Sequence, residues 1–351
     1  MNPILVNADR GSSWRNIGGG RTAFSLPELA EIAAQNHHIF KELQYLSNID
    51  YKPIRYISFA HDEETYKALE ASKAWSKAEM IAPKQFREEI SPYFNANPKK
   101  YISALVSEDC WQATPGKVVD LVRNLGIAAG GTVMEDCRVL EACREGKYTS
   151  VLVQTHDKKY VEYRTEHFVN ALGSGAGKLC DSMGIDAGLY PVRHQAFITR
   201  RLPMLGKHGT NLDMLIDRQD YKGFSAVYGQ QIAYTGQIIG CASPKLDAMR
   251  IDKNLKVNTK AFLEIVSEMF SEWIPDLAGV GIQAVWAGYY TEPRYIVDPE
   301  LGLFVGMRGH GFMLSQYIAR MYVDKLLGRP VPEYFEKLKL NGPGLSEKAF
   351  K

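Results

Sequence analysis

The alternation of apolar and polar positions divides the chain into helical and extended stretches with no long unpatterned break. The first apolar run, Pro3-Ile4-Leu5-Val6-Asn7-Ala8, predicts a short strand, and a Gly/Ser/Asn cluster follows over 11–20. Ser25, Pro27 and Glu28 then read as a helix start: Ser25 as N-cap, Pro27 in the first turn, Glu28 closing a capping box. That helix is expected to reach Leu46. A strand is predicted over 56–60, a helix rich in Ala, Glu and Lys over 63–78, and another short helix within 83–93. Thr114 and Pro115 open a helix over 116–125. Extended segments follow at 131–140, 149–154, 159–163 and 167–171. Residues 191–243, rich in Tyr, Ile, Val and Gly, read as mostly β. A helix over 257–270 and strands over 285–290 and 301–305 lead to a strong helix over 312–327, with Gly328 as its C-cap and Pro330 just beyond. Helices and strands interspersed around a β-rich middle predict a mixed α/β chain.

Composition narrows the function classes without choosing one. The chain has 351 residues, enough for one large or two interleaved domains. Its 42 basic and 40 acidic residues leave a net charge of +2, which gives no polyanion-binding surface, and no nucleic acid is expected as partner. No apolar run approaches the roughly 18 residues needed to span a bilayer, and residues 1–15 lack the pattern of a signal peptide. The five cysteines, Cys110, Cys137, Cys143, Cys180 and Cys241, are irregularly spaced with no Cys-x-x-Cys, so zinc ligation and redox pairing are not expected. Buried free thiols in a reducing cytoplasm are the expectation. His37 and His38 adjoin on a predicted helix and therefore face different sides; they are no metal pair, and no metal site is expected.

Three glycine-bearing segments carry the chemistry. The first is Ser12-Ser13-Trp14-Arg15-Asn16-Ile17-Gly18-Gly19-Gly20-Arg21. Consecutive glycines let backbone N–H groups approach an anion or a planar ring, and Asn16 and Arg21 add polar ends; a plain surface turn is the alternative. The second is Phe168-Val169-Asn170-Ala171-Leu172-Gly173-Ser174-Gly175-Ala176. Its downstream Gly177-Lys178 is followed by Leu179 and has no glycine five residues earlier, so the phosphate-loop pattern fails. The third is Gly306-Met307-Arg308-Gly309-His310-Gly311-Phe312-Met313, which runs into the last long helix. It places glycines, Arg308, His310 and a helix N-terminus together, an arrangement suited to growing negative charge; a structural histidine in a tight turn is the alternative.

In this order the segments resemble the FAD-dependent oxidoreductases of the D-amino-acid oxidase, glycine oxidase and sarcosine oxidase superfamily, and sarcosine oxidase beta-subunit-like proteins in particular. The first resembles that family's Ser-x-Arg-Asn-x-Gly-Gly-x-Arg loop, the second its Val-Asn-Ala-Ala-Gly element, the third its Gly-x-x-Gly-His-Gly-Phe-Met signature. Thr114-Pro115, Val139, the run over 189–195 and the run over 286–291 are similar to lesser family elements, although Thr291-Glu292-Pro293 stands where the family has Thr-Pro-Asp. The likeness spans about residues 4–330.

The resemblance implies an incomplete Rossmann-like FAD-binding domain, from 1–46, 116–188 and 296–335, interleaved with a β-sheet substrate domain from 47–115 and 189–295, with 336–351 as a C-terminal tail. It implies FAD as a non-covalent cofactor, since no cysteine adjoins the last signature. Ser13, Arg15, Asn16, Gly18, Gly19, Arg21, Val139, Ala171, Gly173, Arg308, Gly309, His310, Gly311, Phe312 and Met313 are expected to hold it. The implied reaction oxidises a C–N bond beside a carboxylate, with a hydride equivalent passing to flavin N5 and the imine then hydrolysing. Substrate contacts are expected from Arg193, His194, Tyr228, Tyr289, Tyr290 and Arg294, an arginine clamping the carboxylate and a tyrosine capping an apolar pocket. No residue is assigned as catalytic.

One family element is missing. The superfamily opens with a strand, a Gly-x-Gly-x-x-Gly turn, a helix and a second strand ending in Glu, which seat the cofactor's pyrophosphate and ribose. No Gly-x-Gly-x-x-Gly occurs in this sequence, and Asn7 or Asp9 stands near the acid's place. Three readings stay open: a fragment or late-started form, a chain completed by a homo- or hetero-oligomeric partner, or a non-catalytic structural subunit. An exposed sheet edge and apolar face, and hence association, are expected.

Overall fold

The computed structural model describes residues 11–91, 94, 100–205, 212–221, 224–232, 235–244, 259–345 and 347. The strand expected over 3–8, with Asn7 and Asp9, lies outside them, as do the first two residues of the helix expected over 257–270. In chain order the elements are α1 (Ser12–Arg15), β1 (Gly19–Gly20), α2 (Pro27–Leu46), β2 (Lys52–Ala60), α3 (Glu63–Ala71), β3 (Ala78–Ile81), α4 (Phe86–Glu89), β4 (Ser103–Gln112) and α5 (Pro115–Ala128). Then come β5 (Arg138–Glu145), β6 (Tyr148–Gln154), β7 (Tyr160–Thr165), α6 (Ala176–Ser182), β8 (Tyr190–Thr199), β9 (Met214–Tyr221), β10 (Phe224–Gln231) and β11 (Ile238–Pro244). The last are α7 (Thr259–Trp273), β12 (Ile282–Glu292), β13 (Ile296–Asp298), β14 (Leu303–Val305) and α8 (Gly311–Leu326). The mixed α/β class expected from the pattern is the one observed.

A nine-stranded sheet dominates, in the order β1-β4-β2-β9-β10-β11-β8-β12, with β3 paired to β4. All its pairings are antiparallel except β2 with β9. One face packs on α7: Phe197, Phe262, Phe270 and Trp273 join Phe59 and Tyr101 in the largest core. Each such ring contributes roughly 1.5–3 kcal/mol by leaving water. Gly240 is required there, because an added Cβ would lie 2.5 Å from the Phe197 ring. Buried Asp217 on this side accepts from Tyr101 Oη at 2.9 Å and lies 2.7 Å from His61 Nε2, partners that a buried carboxylate requires. A second core joins α2 to α8 through Leu29, Ala33, Phe40, Leu314 and Ile318, with Trp111 and Tyr295. Smaller sheets are formed by β5-β6-β7 and by β13-β14, and Asn170 adds one parallel bridge to Leu303.

Several boundaries depart from the sequence expectation. The capping box at Ser25 does not form: Leu26 occupies the N-cap position of α2, and the Ser25 hydroxyl donates instead to Glu347. Thr114 precedes α5 but its hydroxyl donates to Asp50, 2.6 Å away. The helix expected over 63–78 breaks into α3 and a 3₁₀ turn at Ser72–Trp75, because Ala78–Ile81 is drawn off to pair with β4. The extended run over 131–140 becomes ladder only from Arg138; residues 131–137 have no strand beside them among the described residues, and without a neighbour alternation alone makes no strand. Likewise only Asn170 of 167–171 is bridged.

Candidate active site

The first glycine segment crosses the face of the large sheet that is turned away from α7. It starts on the outer strand β12, where Ser12 Oγ donates to the Tyr289 carbonyl at 2.7 Å and Arg15 Nη1 to the Ala287 carbonyl at 2.7 Å. Trp286 Nε1 returns a bond to the Arg15 carbonyl at 2.8 Å. Midway, Gln230 of β10 donates to the Ile17 carbonyl at 2.8 Å. Asn16 holds the turn from within, accepting from Gly18 N at 2.8 Å and donating to the Ser13 carbonyl at 2.7 Å. The segment ends against β4, where Ala113 N donates to the Gly18 carbonyl.

That path explains the glycines. Gly18 has φ +78°, in the left-handed region. A Cβ on Gly19 would lie 2.2 Å from the Tyr56 hydroxyl, and one on Gly20 would meet the Trp111 indole at 2.2 Å. The close approach these glycines permit is therefore to the sheet beneath.

Beyond Gly20 the chain enters a buried polar cluster. Arg21 is only 4% exposed; its guanidinium lies 3.9 Å above the Phe24 ring and donates to the Ala23 carbonyl. Its other terminal nitrogen lies 3.4 Å from His310 Nε2. Arginine only donates, so Nε2 accepts, which puts the His310 proton on Nδ1, 2.5 Å from Tyr295 Oη. Burial, with Arg21, Arg308 and Arg218 around it, holds the His310 pKa well below the ordinary histidine value. The imidazole is neutral and dipolar at neutral pH. His310 occupies the N-cap position of α8, and its carbonyl accepts from Met313 N at 3.1 Å, so the first two N–H groups of the helix, of Gly311 and Phe312, precede its hydrogen-bond ladder. Arg308, at φ +51°, donates from Nε to Glu292 at 2.6 Å.

The sheet supplies the facing wall. Antiparallel register puts His194, Tyr290, Trp286, Cys241 and Tyr228 on one face. Tyr228 and Tyr290 share a hydroxyl–hydroxyl bond of 2.9 Å, and His194 stacks on Tyr290 at 3.5 Å between centroids. Burial raises both tyrosine pKa values and pushes the His194 imidazole down to about 3. Gly309 closes the ring of contacts, since a Cβ there would lie 2.3 Å from Tyr290.

The residues named from the sequence are thus distributed unevenly. Arg21, Arg308, Gly309 and His310 gather with His194, Tyr228 and Tyr290, Gly19 lies on Tyr56, and Gly311, Phe312 and Met313 open α8, whereas Asn16 is engaged within its own turn and Gly18 lies against Ala113 and Pro115. Exposed Ser13 and half-buried Arg15 lie over β12. Arg193 and Tyr289 pair with each other and alternate to the opposite sheet face from His194 and Tyr290. Arg294 is engaged with the Leu340 and Gly342 carbonyls. Val139 lies on β5, and Ala171 and Gly173 (φ +55°) are exposed at the turn before α6. Sequence reasoning missed Phe24, Tyr56, Tyr295, Arg218 and Glu347. Arg218 had a signal, a charge at the next alternate position after Met214 and Ile216 on a strand.

A glycine-rich segment is thus laid across a mixed sheet and is joined through Arg21 to a Gly-His-Gly helix start. The profile of the FAD dependent oxidoreductase family (DAO) matches residues 4–325, and the chain belongs to that family, whose cofactor is FAD. L-proline dehydrogenase from P. horikoshii shares the fold with a TM-score of 0.78 and 22% identity, over 94% of this chain and 87% of that one. Glycine oxidase from Bacillus cereus ATCC 14579 gives 0.72 and 18%, over 93% and 89%. The FAD-bound L-alpha-glycerophosphate oxidase from Mycoplasma pneumoniae gives 0.68 and 15%, over 91% and 85%. No curated protein sequence matches the chain.

The residues present fit the ring end of such a cofactor. Buried Trp111 Nε1, under Gly20, and buried Gln230 Oε1, under Ile17, have no hydrogen-bond partner among the described residues, and both border the glycine segment. Buried cationic and neutral donors stand beside a helix N-terminus. No group of three metal-ligating side chains exists among the described residues.

Proposed function

We propose that this chain oxidises the C–N bond of an amino acid or secondary amine, bound between the glycine segment and the sheet face bearing His194, Tyr228 and Tyr290. The observation that carries the reading is the buried cluster Arg21–His310–Tyr295 at the start of α8, set against that face. Bound FAD supplies the two-electron acceptor. Arg21 and the α8 N-terminus would hold its negative charge, and neutral His310, fixed by Tyr295, would present its dipole without reorganisation. Tyr228 and Tyr290, protonated at neutral pH, wall the substrate side and exclude water. In this reading Ser13, Arg15, Val139, Ala171 and Gly173 contribute to the rest of the cofactor path, binding is non-covalent, and the two interleaved domains divide cofactor from substrate. The relatives' names cover an amino acid and a glycerophosphate, so the amine substrate rests on the site itself.

Association belongs to the same reading. The second half of α5 and the stretch after it expose Val122, Leu125, Ile127, Val133 and Met134 to between 41% and 49%. Apolar surface of that density is covered in a working protein, and we read it as the seat of a strand–helix unit delivered by a partner or second copy. The compartment of this reading is the cytoplasm; of the thiols expected to be buried, Cys110, Cys180 and Cys241 are, whereas Cys137 is half-buried and Cys143 exposed. No helix of the described residues is long and apolar enough to cross a membrane.

The absence of Gly-x-Gly-x-x-Gly favours a second reading, a non-catalytic subunit of a flavoprotein complex. The visible spectrum of the purified chain, with FAD added and with a co-expressed partner, separates the two. Bound flavin that bleaches anaerobically with glycine, sarcosine, L-proline or a D-amino acid supports the enzyme. No bound flavin under any of these conditions overturns it.

A further inference from the structure

The stripe of α2 that packs with α8 runs Leu29, Ala33, Asn36, Phe40 and Leu43, at spacings of four, three, four and three. That is the seam of a heptad pattern. Every member is buried, and Asn36, fully buried, is the polar one among them. Its amide is oriented by what it meets. The backbone N–H of Tyr317 donates to Asn36 Oδ1 at 2.8 Å, so Asn36 Nδ2 faces the other way and donates to Gln316 Oε1 at 3.0 Å. Tyr317 lies inside α8, where its N–H would ordinarily serve the Met313 carbonyl. A side chain of α2 has thus entered the hydrogen-bond ladder of α8.

The neighbours of Asn36 reach both sides of the site. Phe40, one turn further along α2, stands edge-on to Phe312 at 5.1 Å between ring centroids. His37 lies flat on Trp111 at 4.5 Å, and Trp111 is the indole under Gly20. Apolar side chains decide which face of a helix is covered, but they slide past one another with little preference for level. A hydrogen bond to one backbone amide does not slide. One residue of slip along α8 is about 1.5 Å, and a displacement of about 1 Å at a reacting centre can cost on the order of a hundredfold in rate.

We propose that Asn36 is a positioning residue: it sets the level of α8 against α2, and so the place at which the Gly309-His310-Gly311 turn meets the cofactor ring. A buried polar pair seldom adds net stability over apolar groups of its size, whereas a single asparagine in an apolar seam fixes register. The inference rests on the reading above, in which that helix start faces the flavin.

Hydrogen exchange resolved to single amides tests the register without flavin, so the two readings fail separately. Wild type, N36L and L29A are compared, L29A removing an apolar member of the same seam two turns from Asn36. Rates at Gly311, Phe312, Met313 and Tyr317 are referred to the slowest core amides of the same variant, so that a global loss of stability cancels. N36L is expected to raise them about tenfold on that scale, and L29A to leave them unchanged. A rise in N36L no larger than in L29A overturns the proposal. Should N36L not fold, Q316A, which removes only the partner of Asn36 Nδ2, is read in the same way against L29A. In the flavin-loaded chain, or its complex with a co-expressed partner, N36L is expected to weaken the hold on reduced flavin about tenfold relative to oxidised flavin, a midpoint potential lower by about 30 mV. Equal potentials in wild type and N36L overturn the proposal as well. A wild type that binds no flavin defeats the enzyme reading, and the exchange comparison then decides the role of Asn36.

Discussion

Replacing Gly309 with alanine isolates the contact on which the proposed pocket depends. The new Cβ would lie 2.3 Å from Tyr290 Cε2, 2.8 Å from Cζ and 3.0 Å from Cδ2. Carbon atoms rest at roughly 3.5–4.0 Å, so ring or backbone must shift by about 1 Å. The ring has little freedom, with His194 stacked at 3.5 Å on it and its hydroxyl bonded to Tyr228 at 2.9 Å. Overpacking of this kind costs about 1–3 kcal/mol, and losing the tyrosine pair adds about 0.5–1.5 kcal/mol. G309A is therefore expected to lose about 2–4 kcal/mol, read by urea denaturation with fluorescence and far-UV dichroism. The deciding measurement is the cycle with Y290A. Without the ring the added methyl has room, so G309A in that background should cost less than about 0.5 kcal/mol, a coupling well beyond the additivity expected of independent sites. An equal cost of G309A in both backgrounds would refute the argument that the glycine exists for Tyr290.

Acidification should destabilise the fold between about pH 6.5 and 4. His37 is held down to about 4 and His194 to about 3, chiefly by burial, and His310 is lowered in the same sense. The unfolded chain then binds more protons than the native one below pH 6.5. Stability is present above that value and falls as pH drops, by up to about 1.4 kcal/mol per pH unit for each group. Urea midpoints at pH 7.5 and 5.5 check this, and an unchanged midpoint contradicts it. D217N should cost about 3–5 kcal/mol, because it removes the charge from a buried pairing with His61 and Tyr101; a loss under 1 kcal/mol by the same assay would show the network to be dispensable. H310A should weaken FAD binding about tenfold in a flavin-fluorescence titration, while H38A, away from the cluster, leaves it unchanged; equal affinities for the two would remove His310 from the cofactor site.

Legibility in the sequence followed the range of the interactions involved. α2 and α8 were placed almost to the residue, because each has a proline or glycine signal at its start or just past its end and a steady apolar stripe. The glycine segments were found, but the reason for Gly19 and Gly20 was not. Tyr56 and Trp111 lie 37 and 91 positions away from those glycines, and only the fold brings them beneath the loop. The division of Arg193 and Tyr289 from His194 and Tyr290 was open to reading, since adjacent residues on a strand face opposite ways. Glu347 gave no signal: a glutamate this far along the chain is ordinary until its bonds to Ser25, 322 positions earlier, are seen.

Residues 131–137 show where local pattern stops sufficing. Their composition is strand-like, and the hairpin that follows from Arg138 forms as expected because β6 is there to pair with it. Just upstream, Val133 and Met134 find no ladder among the described residues and stand exposed beside the equally exposed Val122, Leu125 and Ile127 of α5. The parallel contact of Asn170 with Leu303 is likewise a single bridge where a longer ladder would be needed to hold a sheet. An unpaired strand-like run, an uncovered helix face and a one-bridge parallel contact are together what the proposed partner-delivered strand and helix would cover. In that proposal the covering unit would also carry the glycine turn that the sequence does not contain, so a co-expressed partner that covers α5 should raise the flavin content of the purified complex, and an unchanged content would count against it.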